Sequence, residues 1–122
     1  MKIENIKFKA KSLNLGEWVV GDLAHRITDT CIAVKDMDDI VYYPVDPSTV
    51  CQFTGLKDCK GNEVWEGDIV EFETYDLYKG IVEIKGIIEY TNSGFFAVAD
   101  DIPYPLSSKC IKVVDNKFDK EK

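Results

Sequence analysis

The chain has 122 residues, 45% of them hydrophobic, with 22 acidic against 15 Lys and Arg side chains and a net charge of −7. This length sets one domain, with two sub-lobes at most, and buries enough apolar surface to fold without staples, which excludes wholesale disorder. The negative field opposes non-specific binding to phosphate backbones and anionic membranes, and no apolar run approaches the ~20 residues of a membrane helix.

Met1-Lys2-Ile3-Glu4-Asn5 leads into no apolar signal core, so a cytoplasmic location is expected. Ile6-Lys7-Phe8-Lys9-Ala10 then alternates apolar and polar residues, as a half-buried strand does. Glu17-Trp18-Val19-Val20 and the β-branched run from Ile27 to Val34 read as further strands. Asp36-Met37-Asp38-Asp39 interrupts and Ile40-Val41-Tyr42-Tyr43 resumes, a hairpin with an acidic turn. Asp46 can cap and Pro47 suits a first helical position, so one short helical turn is expected there and little helix elsewhere.

The second half is strand-like again. Gln52 to Leu56 leads into a turn opened by Asp58 and closed by Gly61, with Val64-Trp65 returning. Strands are expected over Asp68–Glu73, Gly80–Ile84, Ile87–Tyr90, Phe95–Val98 and Cys110–Val114, with Asn92-Ser93-Gly94 as a turn. Short strands at close spacing argue for a small barrel or sandwich. The charged residues from Asp115 to Lys122 are expected to fray.

Two motifs carry a resemblance. Phe53-Thr54-Gly55-Leu56-Lys57-Asp58 is followed, after the Gly61 turn, by Trp65-Glu66-Gly67-Asp68-Ile69-Val70. With Lys7-Phe8-Lys9-Ala10 and Trp18-Val19-Val20-Gly21-Asp22-Leu23 at the start, this pattern resembles the YopX family of small phage- and prophage-borne proteins. Lys9 stands where the family's opening has Arg, and Cys59 occupies a turn position expected to be polar. The resemblance implies a phage origin and a β-rich fold, and it brings no assigned catalytic residues. Glu66-Gly67-Asp68-Ile69-Val70 also looks like the entry into an SH3-like barrel, a likeness that says nothing of ligand.

Several constellations invite a chemical reading. Asp58, Glu63, Glu66 and Asp68 cluster around a predicted hairpin, but turn chemistry explains their spacing without a catalytic pair. Asp36, Asp38 and Asp39 lack the Gly and distal Glu of a calcium loop. His25, the single histidine, and Cys31 would share a strand face about 20 Å apart, too far for a nucleophilic pair. Cys31, Cys51, Cys59 and Cys110 form no C-x-x-C and read as reduced packing residues. A meeting of Cys51 and Cys59 across a hairpin is the weaker alternative. Tyr75, Tyr78 and Lys79 sit among Glu71, Glu73, Asp76 and Glu83, so core or interface packing is a better use for them than nucleic-acid stacking. Tyr104, between Pro103 and Pro105, is either an exposed anchor for a partner or a lid on the core.

The combined expectation is a mainly β protein with very little helix. A β-hairpin region over about 1–50 packs on a small SH3-like barrel over about 51–114, and a frayed tail covers 115–122. Phe53, Thr54, Gly55, Leu56, Asp58, Gly61, Trp65, Glu66, Gly67, Asp68, Ile69 and Val70 are read as structural, with the glycines serving backbone conformation. No catalytic residue, metal or cofactor is expected. The expected role is a non-enzymatic interaction or self-assembly module whose partner is a host or phage protein or a second copy. The alternatives are a nucleic-acid-linked regulator, supported by the N-terminal lysines, and an acidic DNA mimic.

Overall fold

The computed structural model describes residues 5–91, 94–106 and 110–119; the expected turn at Asn92-Ser93 lies outside them. The chain forms two compact units, Met1–Phe53 and Thr54–Lys122. The described residues are overwhelmingly β, and Pro47–Thr49 forms a short 3-10 turn.

The first unit is an antiparallel meander of β1 (Phe8–Lys11), β2 (Trp18–His25), β3 (Thr30–Asp36) and β4 (Asp39–Pro44), completed by the start of β5 (Cys51–Lys57). The strand order is β4-β3-β2-β1-β5, which leaves β4 at an edge. Ala10, Ile32 and Val45 are buried at its centre, with Phe8, Val19, Leu23, Val34 and Val50 packed around them. The turn into β5 is built as its sequence reads. Asp46 caps it, its carboxylate accepting from the Ser48 N–H at 3.0 Å and the Ser48 hydroxyl at 2.8 Å, and Pro47 occupies the first position.

One strand boundary differs from expectation. The run from Ile27 is not all strand, because Arg26 to Asp29 forms the β2–β3 turn and Ile27 is fully exposed. The Arg26 N–H donates to the Asp29 carbonyl at 2.8 Å, closing that turn. A β-branched residue raises strand propensity but does not locate a strand's end; the local turn bond does.

In the second unit β5 continues and pairs with β6 (Glu63–Trp65). There follow β7 (Asp68–Asp76), β8 (Gly80–Thr91), β9 (Gly94–Ala99), β10 (Ile102–Pro105) and β11 (Lys112–Asn116). They form an antiparallel sheet of order β10-β9-β8-β7-β11. Val70 and Phe72 point inward from β7 and pack with Val64, Ile88, Ala97, Leu106 and Ile111, while Glu71 and Glu73 alternate outward. The sheet is open, with β10 and β11 as edges, so among the described residues no closed barrel forms. Alternation specifies strands and faces but carries no information on whether two edges meet.

Three further differences have local causes. The two strands expected around Lys85-Gly86 are one strand of 12 residues. Gly86 is not a turn there; a Cβ at that position would stand 3.1 Å from the Val98 carbonyl oxygen, so glycine admits the neighbouring backbone. The Pro-flanked segment Ile102–Pro105 is a strand, tolerated because it lies at the sheet edge, where its prolines leave no inner ladder donor missing. Asp115 and Asn116 do not fray but end β11, and Asn116 is buried. The Lys117 N–H donates to the Gly67 carbonyl at 3.0 Å.

Candidate functional site

Two buried carboxylates organise the signature region. Asp58 opens the β5–β6 turn and is 7% exposed. Its carboxylate accepts from the backbone N–H groups of Lys60 (2.9 Å), Asn62 (2.8 Å) and Val113 (3.0 Å), and from Asn62 Nδ2 (3.2 Å). Burial pushes its pKa up, but the hydrogen bonds from Val113, Asn62 and Lys60 outweigh that and hold it below the ordinary value. Gly61 closes the turn at φ 86°, a left-handed conformation, with its N–H donating to the Asp58 carbonyl at 3.1 Å.

Asp68, 3% exposed, ties the β6–β7 turn to the final strand. It accepts from the Trp65 N–H at 2.8 Å and from Asn116 Nδ2 at 3.0 Å. The Asn116 side-chain Oδ1 in turn accepts from the Phe118 N–H at 2.9 Å. Gly67, at φ 88°, makes the tight bend between the strands and donates to the Ile88 carbonyl at 2.8 Å. Each carboxylate is thus occupied by backbone and amide donors, the chemistry of turn organisation. A general acid needs a carboxyl held protonated near neutral pH, and Asp58 is shifted the other way.

A model described as YopX protein covers residues 4–117. The chain belongs to the YopX family. No curated protein and no solved structure matches it. The signature of this YopX chain occupies two successive turns and the strands they join. Phe53, Trp65, Ile69 and Val70 are buried, and the Thr54 hydroxyl donates to the Val64 carbonyl at 2.7 Å across β5 and β6. Gly55 has φ 85°, and Leu56 is exposed at the end of β5. Glu66 is half-buried in the turn before Gly67.

Other candidates are separated or reassigned. Ala24 pairs with Cys31 and His25 with Thr30 across the β2–β3 hairpin. Paired residues share a face and neighbours alternate, so His25 and Cys31 point to opposite faces. Cys31 is fully buried, and burial followed by its contact with Asp29 raises its pKa. Met37 and Asp38 form a two-residue turn, with Met37 at φ 53°, and no group of three metal-ligating side chains occurs among the described residues. Tyr104 is half-buried, its ring 5.3 Å from that of Phe72 at 60°, and so closes the core.

Tyr75, Leu77 and Tyr78 are exposed at the β7–β8 tip rather than packed in a core. Asp76 shapes that tip by accepting from the N–H groups of Tyr78 and Lys79, which lowers its pKa.

Two features escaped sequence reasoning. The first is a disulfide between Cys59 and Cys110, whose Cα atoms are 5.6 Å apart across 51 residues of sequence. It corrects the reading of the cysteines as reduced and mostly packing residues: Cys59 and Cys110 are exposed and bonded, and Cys31 and Cys51 are buried thiols outside the disulfide. The oddity of a cysteine at a polar turn position was the available signal. The second is a groove of about 680 Å³ lined by Lys60, Glu71, Phe72, Glu73, Glu83, Cys110, Lys112 and Val114. Glu73 stands directly opposite Glu83 in the β7–β8 ladder. A hydrogen bond with Glu71, then its charge and that of Glu73, raise the Glu83 pKa.

Proposed function

We propose that this YopX family member is a non-enzymatic phage or prophage accessory protein that works by strand-mediated interaction, with a host or phage protein or with another copy of itself. The carrying observation is β4. It lies at the edge of its sheet and bears four consecutive large apolar residues, from 36% exposed at Val41 to 58% at Ile40, with Tyr42 and Tyr43 between those values. Edge strands present unpaired backbone groups to solvent and are usually blunted by charge, proline or brevity. Here the interior of the strand, Ile40 to Tyr43, carries neither a charge nor a proline. The Pro44 carbonyl accepts from the Leu13 N–H at 2.9 Å, and among the described residues no second strand pairs with β4 between Asp39 and Tyr43. Addition of a partner strand would supply main-chain hydrogen bonds, and the exposed tyrosines would supply specificity.

The test is light scattering of the purified chain together with a nuclease-treated pull-down from host lysate, each repeated with Tyr42→Lys. A lysine at the edge should abolish self-association or release a stoichiometric partner while leaving the melting temperature within a few degrees. A monomer that captures nothing, or an interaction indifferent to the lysine, would remove the proposal.

One observation favours a second reading. Strand alternation places Lys7, Lys9 and Lys11 beside the rings of Phe53 and Trp18, with Nζ-to-centroid distances of 4.7, 4.6 and 5.2 Å. Basic and aromatic side chains arranged this way also serve single-stranded nucleic acids. A mobility shift that weakens with salt would support it, and none at low salt would end it.

A further inference from the structure

We infer that Cys59 and Cys110 form a reversible thiol–disulfide exchange site whose substrate is a small zwitterionic thiol of the amino-acid type. Five observations lead there. Both cysteines are exposed, so their bond is open to attack, unlike a staple enclosed by a core. Their two segments are also joined without the bond. The Cys59 N–H donates to the Ile111 carbonyl at 3.1 Å, and the Val113 N–H donates to Asp58 at 3.0 Å. These contacts hold the sulfurs near one another in the dithiol and allow the bond to break without unfolding.

Cys110 alone of the pair lines the groove of about 680 Å³, which makes its sulfur the one an incoming thiol reaches. The groove's charged lining carries both signs, Lys60 and Lys112 against Glu71, Glu73 and Glu83. That pattern suits a thiol bearing an ammonium and carboxylates. The remaining cysteines do not compete, because Cys31 and Cys51 are fully buried.

The exchange balances as two steps. A thiolate attacks Sγ of Cys110, the Cys59–Cys110 bond breaks, and Cys59 leaves as a thiolate that takes a proton. A second thiolate then attacks the substrate sulfur of the mixed disulfide, releasing Cys110 and an oxidised thiol dimer. Two electrons pass from two substrate thiols to the protein disulfide, and the reverse sequence regenerates it.

The experiment uses the full chain in glutathione buffers of graded reduced-to-oxidised ratio, quenched by acid, alkylated and read by mass spectrometry. Two thiols per chain should appear together as the buffer becomes reducing and vanish together on return, with the circular dichroism spectrum unchanged. Cys31 and Cys51 should label only after denaturation. In single variants treated with oxidised glutathione, Cys110 in Cys59→Ser should form the mixed disulfide about tenfold faster than Cys59 in Cys110→Ser. A bond that resists excess reductant in the native state, a pair that never oxidises, or reduction that unfolds the chain would overturn reversible exchange. Equal rates in the two variants would overturn the assignment of the groove.

Discussion

Replacing Asp58 by Asn tests whether the signature carboxylate is a turn organiser. The change keeps size and shape but removes the charge and turns one acceptor oxygen into a donor. Oδ1 accepts from the Lys60 and Asn62 N–H groups, and Oδ2 from the Val113 N–H and Asn62 Nδ2. Whichever way the new amide points, its NH2 faces two donors. A hydrogen bond to a charged group is worth about 1.5–3 kcal/mol, and the two surviving bonds become neutral. The relief of burying an amide instead of a carboxylate offsets part of this loss, so we expect a net destabilisation of about 2–4 kcal/mol.

Urea denaturation at neutral pH measures that loss directly. The pH dependence is equally specific. The Asp58 pKa is lowered in the folded protein, so the unfolded chain binds more protons between the folded value and the unfolded one near ~3.9. The Asp58 contribution is therefore complete above the unfolded pKa and is lost as pH falls through the folded pKa. The gap between wild type and Asp58→Asn should narrow steadily below about pH 4. A loss under ~0.5 kcal/mol, or a gap independent of pH, would refute the assignment.

Gly61→Ala adds a Cβ that meets nothing within 4 Å, so its cost is purely that of a left-handed backbone, about 1–2 kcal/mol; an unchanged melting temperature would show the turn has been misread. Asn116→Ala should cost about 1–3 kcal/mol, because it removes the amide donor to Oδ1 of buried Asp68 and strips the Phe118 N–H of its acceptor; a variant as stable as wild type in urea would count against the Asp68 tie. Glu83→Gln should raise stability at neutral pH. The raised folded pKa means that ionising Glu83 costs the native state stability as pH climbs above its unfolded value, and the amide removes that loss. Parallel stability–pH curves for the two proteins would contradict it.

The strands, the turn at Asp46-Pro47 and the mainly β character were legible because each rests on a local pattern. Period-two alternation fixes which side of β7 is buried, and Asp-Pro and Asp-x-x-Gly spacings encode turns through bonds a few residues long. Misreadings arose where local chemistry was ambiguous. Ile27 has a strand-forming side chain but sits in a turn, and Gly86 is a residue typical of turns but sits in a strand, because the neighbouring backbone needs the space that a side chain would take. For Tyr104 the sequence allows either an anchor or a core role, and the contact with Phe72 decides for the core.

The signature itself divides along the same line. By itself the sequence determined that Asp58 and Asp68 stand at turns and that Gly61 and Gly67 follow or precede them. Only the tertiary structure decided what these carboxylates reach, since Val113 lies 55 residues from Asp58 and Asn116 lies 48 from Asp68. The Cys59–Cys110 bond, the openness of the second sheet and the exposure of β4 belong to the same class. All of them depend on which distant segments the chain brings together, and that choice is made by the summed burial of a whole core rather than by any short run of residues.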